Sequence, residues 1–147
     1  MAKTSGAGWT CRRCGRQFAN ANQNHSCKPP VPIGAHFEGR AAWMRSAFET
    51  IANKLGKTIR VDGVAKGIHL AAHSTFAGIT TTRTKMRVEF LLGRVVKSPR
   101  IFKVERLGPT RVAHHVELTE AGGADAELIE WLKASRDEHA RSVTNKA

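Results

Sequence analysis

Three cysteines and one histidine near the start of the chain have the types and spacing of metal ligands. Cys11 and Cys14 are separated by two arginines and followed by Gly15. Structural zinc takes four thiolate or imidazole ligands in a tetrahedron, and a Cys-x-x-Cys turn that ends in glycine lets two sulfurs face one ion. The sequence therefore predicts a zinc knuckle with the ligands Cys11, Cys14, His25 and Cys27.

Other chemistry is open to the same residues. Cys11 and Cys14 could form a disulfide, act as a redox pair or remain plain thiols, although no signal-peptide pattern or βαβ pattern supports the first two. His36 is a reserve ligand if His25 points away. A classical finger places its last two ligands about one helical turn apart. One residue separates His25 from Cys27, so we expect no base-reading helix.

The net charge of +12 indicates a polyanionic partner. The excess lies in residues 1–118, because acidic residues outnumber basic ones in residues 119–147. We expect binding to nucleic acid or ribonucleoprotein through phosphate contacts. The alternative partner is a small anionic ligand or a protein, with zinc purely structural. The simplest alternative is that the charge only keeps the surface solvated. The basic residues assigned to phosphate are Arg12, Arg13, Arg16, Arg83, Lys85, Arg87 and Lys97.

These residues must be positioned by a domain with two kinds of periodicity. Residues 40–55 place apolar side chains at helical spacing, and residues 59–118 alternate in five or six short strands. A second helix begins near Asp125, a suitable N-cap. We predict an α+β domain with both helices on one face of a mainly antiparallel sheet. The expected division is a knuckle at 1–30, a proline-containing linker at 31–38, the α+β domain at 39–140 and a flexible tail at 141–147.

The sheet face away from the helices is expected to be basic and rich in imidazole. It lacks predicted exposed aromatic rings, which favours contact with phosphate over base stacking. A homodimer through this face is a further possibility. The side chains assigned to it are Arg60, His69, His73, Arg87, Lys103 and His115.

Catalysis has little support in the sequence. His114 and His115 form the most reactive-looking pair, with Glu117 nearby and His69 on another strand. Neighbouring side chains of a strand point to opposite faces, so His114 is expected in the core and His115 outside. No nucleophile elbow, phosphate loop or His-Glu-x-x-His helix occurs. No apolar run reaches membrane-spanning length, and we expect a cytoplasmic protein.

Six motifs are distributed along the chain: Trp9-x-Cys11-x-x-Cys14-Gly15-Arg16-x-Phe18, Asn22-Gln23-x-His25-Ser26-Cys27, His36-Phe37-x-Gly39, Phe76-Ala77-Gly78, Arg111-Val112-x-His114-His115-x-x-Leu118-Thr119 and Asp125-Ala126-Glu127-Leu128-x-x-Trp131-Leu132. Together they resemble a bacterial family of unknown function, domain-of-unknown-function family 5655. The resemblance spans nearly the whole chain and implies a metal-binding knuckle joined to a compact α+β domain, without an assigned activity.

Overall fold

Two helices and a six-stranded antiparallel sheet form the main body, and a two-stranded hairpin precedes them. The computed structural model describes residues 9–23 and 31–140. The α+β prediction is confirmed. The elements are β1 (Trp9–Thr10), β2 (Gln17–Phe18), α1 (Ala42–Leu55), β3 (Arg60–Val64), β4 (Gly67–Ala71), β5 (Thr75–Thr81), β6 (Met86–Leu92), β7 (Ile101–Gly108), β8 (Arg111–Leu118) and α2 (Ala126–Glu138).

The sheet has the order β3-β4-β5-β6-β8-β7, so the chain skips one position after β6. Both β6 and β7 pair antiparallel with β8, which places them parallel to each other on its two sides. Residues 93–100 therefore cross from the end of β6 to the start of β7. Within the described ranges no helix has the length and apolar character needed to cross a bilayer.

Both helices contribute to one hydrophobic core on one face of the sheet. In α1 the predicted stripe, which includes Met44, Phe48 and Ile51, is buried, and Gly56 ends the helix with a φ of 89°. Leu128 and Leu132 of α2 belong to the same core. Burial of such apolar side chains is the dominant favourable term in folding.

Residues 31–38, which precede α1, pack against the main domain. The N–H of Val31 donates to the carbonyl of Gly63 in β3 at 2.8 Å, and Phe37 is buried in the core. Residues 31–38, which the proline content suggested as a linker, thus pack against the β3 side of the sheet. The opposite edge strand, β7, has no such cover among the described residues.

Two side chains differ from the predicted sheet. β4 ends at Ala71, so His73 lies in the following turn, where its N–H donates to the carbonyl of His139 at 2.9 Å. His73 is therefore not part of the open face. Pairing between β7 and β8 shifts register between Ile101 and Lys103, and Phe102 is 49% exposed. A bulge adds one residue to a strand and redirects side chains, which an alternating pattern cannot anticipate.

Candidate functional site

The N-terminal hairpin encloses two buried thiols. The N–H of Cys11 donates to the carbonyl of Arg16 at 2.9 Å, and the N–H of Gly15 donates to the carbonyl of Cys11 at 2.8 Å. Gly15 has a φ of 78°, a backbone conformation that glycine adopts without steric cost. Cys11 and Cys14 are 4% and 6% exposed. The turn therefore holds both thiols inside the hairpin.

The other two predicted zinc ligands, His25 and Cys27, lie outside the described residues. In residues 9–23 and 31–140, no three side chains of His, Cys, Asp or Glu come together to hold a metal ion. His36 therefore does not complete a site with Cys11 and Cys14 there. The backbone carbonyl of His36 accepts a hydrogen bond from the Thr81 hydroxyl at 2.9 Å.

A cleft of about 740 Å³ is lined by the hairpin on one side and by the main domain on the other. The hairpin contributes residues 16–20, and β3 and β4 contribute Arg60, Asp62 and His69 from the open face of the sheet. One end is formed where the β4–β5 turn, the β7–β8 turn and the last residues of α2 meet. The hairpin thus partly covers a face that the sequence suggested was open.

Three arginines from separate parts of the chain line this cleft. Arg16 precedes β2, Arg60 begins β3 and Arg111 begins β8. Nη1 of Arg60 donates to the carbonyl of Ala72 at 3.1 Å, which fixes that side chain along the wall. The side chain of Arg111 is exposed and makes no hydrogen bond or ion pair with a residue that the structure describes. Its guanidinium is therefore available to a ligand.

Two carboxylates also line the cleft, but one of them is already engaged. Oε1 of Glu138 accepts the N–H of Gly93 at 2.8 Å, and its Oε2 lies 3.7 Å from Nη1 of Arg94. Asp62 is the other carboxylate. Three guanidinium groups against these two acids leave the cleft positive, and guanidinium donors match phosphate and carboxylate oxygens.

Two imidazoles complete the lining. Loss of hydration and the positive charge of Arg16 lower the pKa of His69, while the carboxylates of Asp62 and Glu89 oppose that shift. A lowered pKa keeps His69 neutral near pH 7, with one ring nitrogen as donor and the other as acceptor. Nδ1 of His139 lies 2.8 Å from the carbonyl of Ser135, which orients that ring. Both rings line the cleft, where they can hydrogen-bond to a ligand.

Most of the basic residues assigned to phosphate from the sequence lie elsewhere, and only Arg16 lines the cleft. Arg12 and Arg13 occupy the turn between β1 and β2. Nε of Arg87 and Nζ of Lys85 lie 2.8 and 3.5 Å from carboxylate oxygens of Glu117.

The last two, Arg83 and Lys97, are in the β5–β6 turn and the crossover loop. The seven therefore lie on the hairpin, the β5–β6 turn, β6 and the crossover loop. The sequence assignment to phosphate also missed Arg111, whose available signal was its place in a motif that resembles family 5655.

The histidine pair of β8 divides between the two faces of the sheet. His114 is fully buried and stacks on Phe90, with ring centroids 5.2 Å apart. His115 faces outward, where its Nε2 lies 3.1 Å from Oε1 of Glu105 and its ring lies 6.0 Å from that of Phe102. The two imidazoles therefore cannot act on one substrate, and Phe102 supplies the exposed aromatic ring that the sequence did not predict.

Comparison with known proteins identifies the domain. A model of a family described as "Domain of unknown function (DUF5655)" matches residues 33–137, which is more than half of the chain. The hairpin with Cys11 and Cys14 precedes the matched region. Searches of curated proteins and of solved structures found no match. The chain belongs to the domain-of-unknown-function family DUF5655.

Proposed function

We propose that this protein binds a phosphate-bearing ligand in the cleft between the hairpin and the sheet. The observation that carries the proposal is the convergence of Arg16, Arg60 and Arg111 on one cavity. Its volume of about 740 Å³ falls within the range of roughly 300–1,000 Å³ that is usual for small-molecule sites. One guanidinium group can donate two parallel N–H bonds to phosphate oxygens, and a partly enclosed site strengthens such contacts by excluding water.

Zinc has a structural role in this proposal. Cys11, Cys14, His25 and Cys27 would bind one ion, and the buried positions of the first two support this assignment. So small a hairpin has little core of its own, and structural zinc supplies the folding energy of such units. Because residues 16–20 line the cleft, the metal would hold one wall of the ligand site in place.

Nucleic acid or ribonucleoprotein is the second candidate ligand. The net charge of +12 favours it. Four of the predicted phosphate contacts, Arg12, Arg13, Arg83 and Lys97, form no ion pair with any residue in the described ranges. Phe102 adds one exposed ring on which a base could stack. Because these contacts would go mainly to phosphate, this mode predicts weak sequence preference and binding that falls steeply with salt.

Calorimetric titration with inorganic phosphate, a mononucleotide and a short single-stranded RNA tests both candidates. Arg111→Gln removes a cleft guanidinium, and Arg83→Gln is its matched control because both side chains are exposed and neither has an ion pair in the described residues. We expect Arg111→Gln to weaken binding of the mononucleotide by about tenfold, the equivalent of about 1.4 kcal/mol. Arg83→Gln should leave it unchanged.

The same variants separate the two modes of binding. If only RNA binds, and both substitutions weaken it equally with a steep salt dependence, the basic surface outside the cleft contributes to the site and the cleft proposal is wrong. If neither phosphate, mononucleotide nor RNA binds, both proposals are wrong, and the charge serves solvation alone.

A further inference from the structure

Strand β7 ends the sheet with an uncovered edge. It pairs with β8 on one side, and no strand of the described residues pairs with its other side. The N–H of Ile101, at the start of β7, donates to the carbonyl of Ser98 in the preceding loop. The opposite edge strand, β3, receives the hydrogen bond from Val31. An unpaired edge is a template for another strand, and natural proteins usually cover or interrupt it.

Exposed apolar side chains are concentrated on the same strand. Of the four large hydrophobic residues that are exposed in the described ranges, Phe102, Val104 and Leu107 belong to β7, at 49%, 42% and 51% exposure. The fourth, Val95, lies in the loop that leads to it. Clustered apolar exposure of this kind marks an interaction surface more often than scattered single residues do.

The sequence of β7 is complementary to itself in one antiparallel register. Directly opposite side chains of an antiparallel pair point to the same face of the sheet. In a symmetric pair of two β7 strands, one residue must therefore lie opposite its own copy, at the two-fold axis. An axis at Val104 places Lys103 opposite Glu105 of a second copy, and it does so twice. An axis at Lys103, Glu105 or Arg106 instead places two like charges opposite each other, which is destabilising.

The faces of these side chains agree with that register. Lys103 lies opposite His115, and Oε1 of Glu105 contacts His115, so both charged groups are on the face away from the helices. Within one chain, Nζ of Lys103 and Oε2 of Glu105 are already 3.8 Å apart. Register shifts next to Phe102 and Leu107 confine the regular ladder to the centre of β7, where Val104 lies.

We propose that β7 is a homodimer interface, in which two copies pair antiparallel about Val104. The two sheets then join edge to edge, and each Lys103 forms an ion pair with Glu105 of the other copy. The open face, which the sequence suggested for a homodimer, is partly covered by the hairpin, whereas no strand of the described residues other than β8 pairs with β7. This interface is independent of the ligand cleft.

Sedimentation velocity across a concentration series tests the proposal on the full chain. The mass should approach twice the chain mass of 16.1 kDa at high concentration. Lys103→Glu alone and Glu105→Lys alone should each weaken the dimer, because each places like charges across the axis. The double substitution Lys103→Glu with Glu105→Lys should restore it, because the opposite charges are exchanged.

A matched control and a second variant complete the test. Lys66→Glu makes the same charge change in the β3–β4 turn and should leave the mass unchanged. Val104→Lys places two ammonium groups on the axis and should give a monomer. A chain that stays at 16.1 kDa at every concentration overturns the proposal. So does a dimer that the single charge changes do not weaken, since it would use another surface.

Discussion

Nε2 of the buried His114 accepts a hydrogen bond from the backbone N–H of Val96 at 3.0 Å. This contact joins β8 to the loop that crosses from β6 to β7, so one imidazole fixes the connection that gives the sheet its strand order. An accepting Nε2 requires the proton of the neutral ring to be on Nδ1. Burial lowers the pKa of His114, interactions with the backbone of Phe90 and Val112 oppose that shift, and the charge of Arg94 acts in the same direction as burial.

The pKa of His114 predicts loss of stability in mild acid. The unfolded chain binds the proton near the ordinary histidine pKa of 6.5, and the folded chain binds it only at lower pH. Between these values the unfolded state holds more protons, so the free energy of unfolding falls as the pH drops below about 6.5. Urea unfolding at about pH 5.5 and pH 7.5 measures this change.

Two variants assign the pH effect to His114. His114→Gln retains an acceptor for the N–H of Val96 and should reduce the pH dependence of the free energy of unfolding. His69→Gln is the comparison variant, because His69 is the other histidine with a lowered pKa. His114→Leu leaves the N–H of Val96 without its acceptor and should cost about 1–3 kcal/mol at neutral pH. An unchanged pH dependence in His114→Gln would contradict this assignment.

Gly63 is expected to tolerate no side chain. A Cβ atom there would lie 1.9 Å from the carbonyl oxygen of Val31, so the backbone of the packed segment would have to move. We expect Gly63→Ala to destabilise the protein by about 1–3 kcal/mol, as overpacking commonly does. Gly78→Ala in β5 is the matched control, since its Cβ would meet nothing closer than 3.8 Å. Equal thermal midpoints for the two variants would show that residues 31–38 are not packed as described.

Asp125 combines a helix cap with an ion pair. Its carboxylate accepts the N–H of Leu128 at 3.1 Å and lies 2.7 Å from Nη1 of Arg100. Asp125→Ala should cost about 0.5–2 kcal/mol, the usual range for loss of an N-cap. Asp125→Asn keeps an oxygen for the cap and removes the charge, so it should cost less in a urea titration. Equal losses in the two variants would mean that the charge matters and the cap does not.

Local patterns account for most of the main domain. The apolar stripe that includes Met44 and Ile51 predicts α1, Gly56 marks its end, and Asp125 caps α2 as expected. Alternation also places His114 inside the sheet and His115 outside. These features depend on residues close in sequence, where helical and strand periodicities are informative.

The cleft could not be predicted in the same way. It depends on residues 16–20 lying near Arg60 and Arg111, which are distant in sequence and share no periodic pattern with the hairpin. The bulge at Phe102 is a similar case, because it changes which face a side chain occupies without changing the apolar pattern. His73 is not on the open face, where the sequence placed it, because β4 ends before His73 and the chain turns toward α2.

The link between the hairpin and the cleft gives the last prediction. If zinc holds the hairpin, Cys14→Ser should release the metal and weaken binding of the mononucleotide by at least about tenfold. The main domain should stay folded, because its core contains no residue of the hairpin. Metal content, circular dichroism and calorimetric titration measure the three effects separately.

Arg12→Gln is the control for this variant, because it changes the same turn without removing a thiol. It should retain both metal and ligand. Loss of zinc with unchanged mononucleotide affinity would separate the metal from the cleft, and the hairpin would then not be a wall of the ligand site. Loss of ligand with zinc retained would instead assign the effect of Cys14 to the shape of the turn, since residues 16–20 follow it directly.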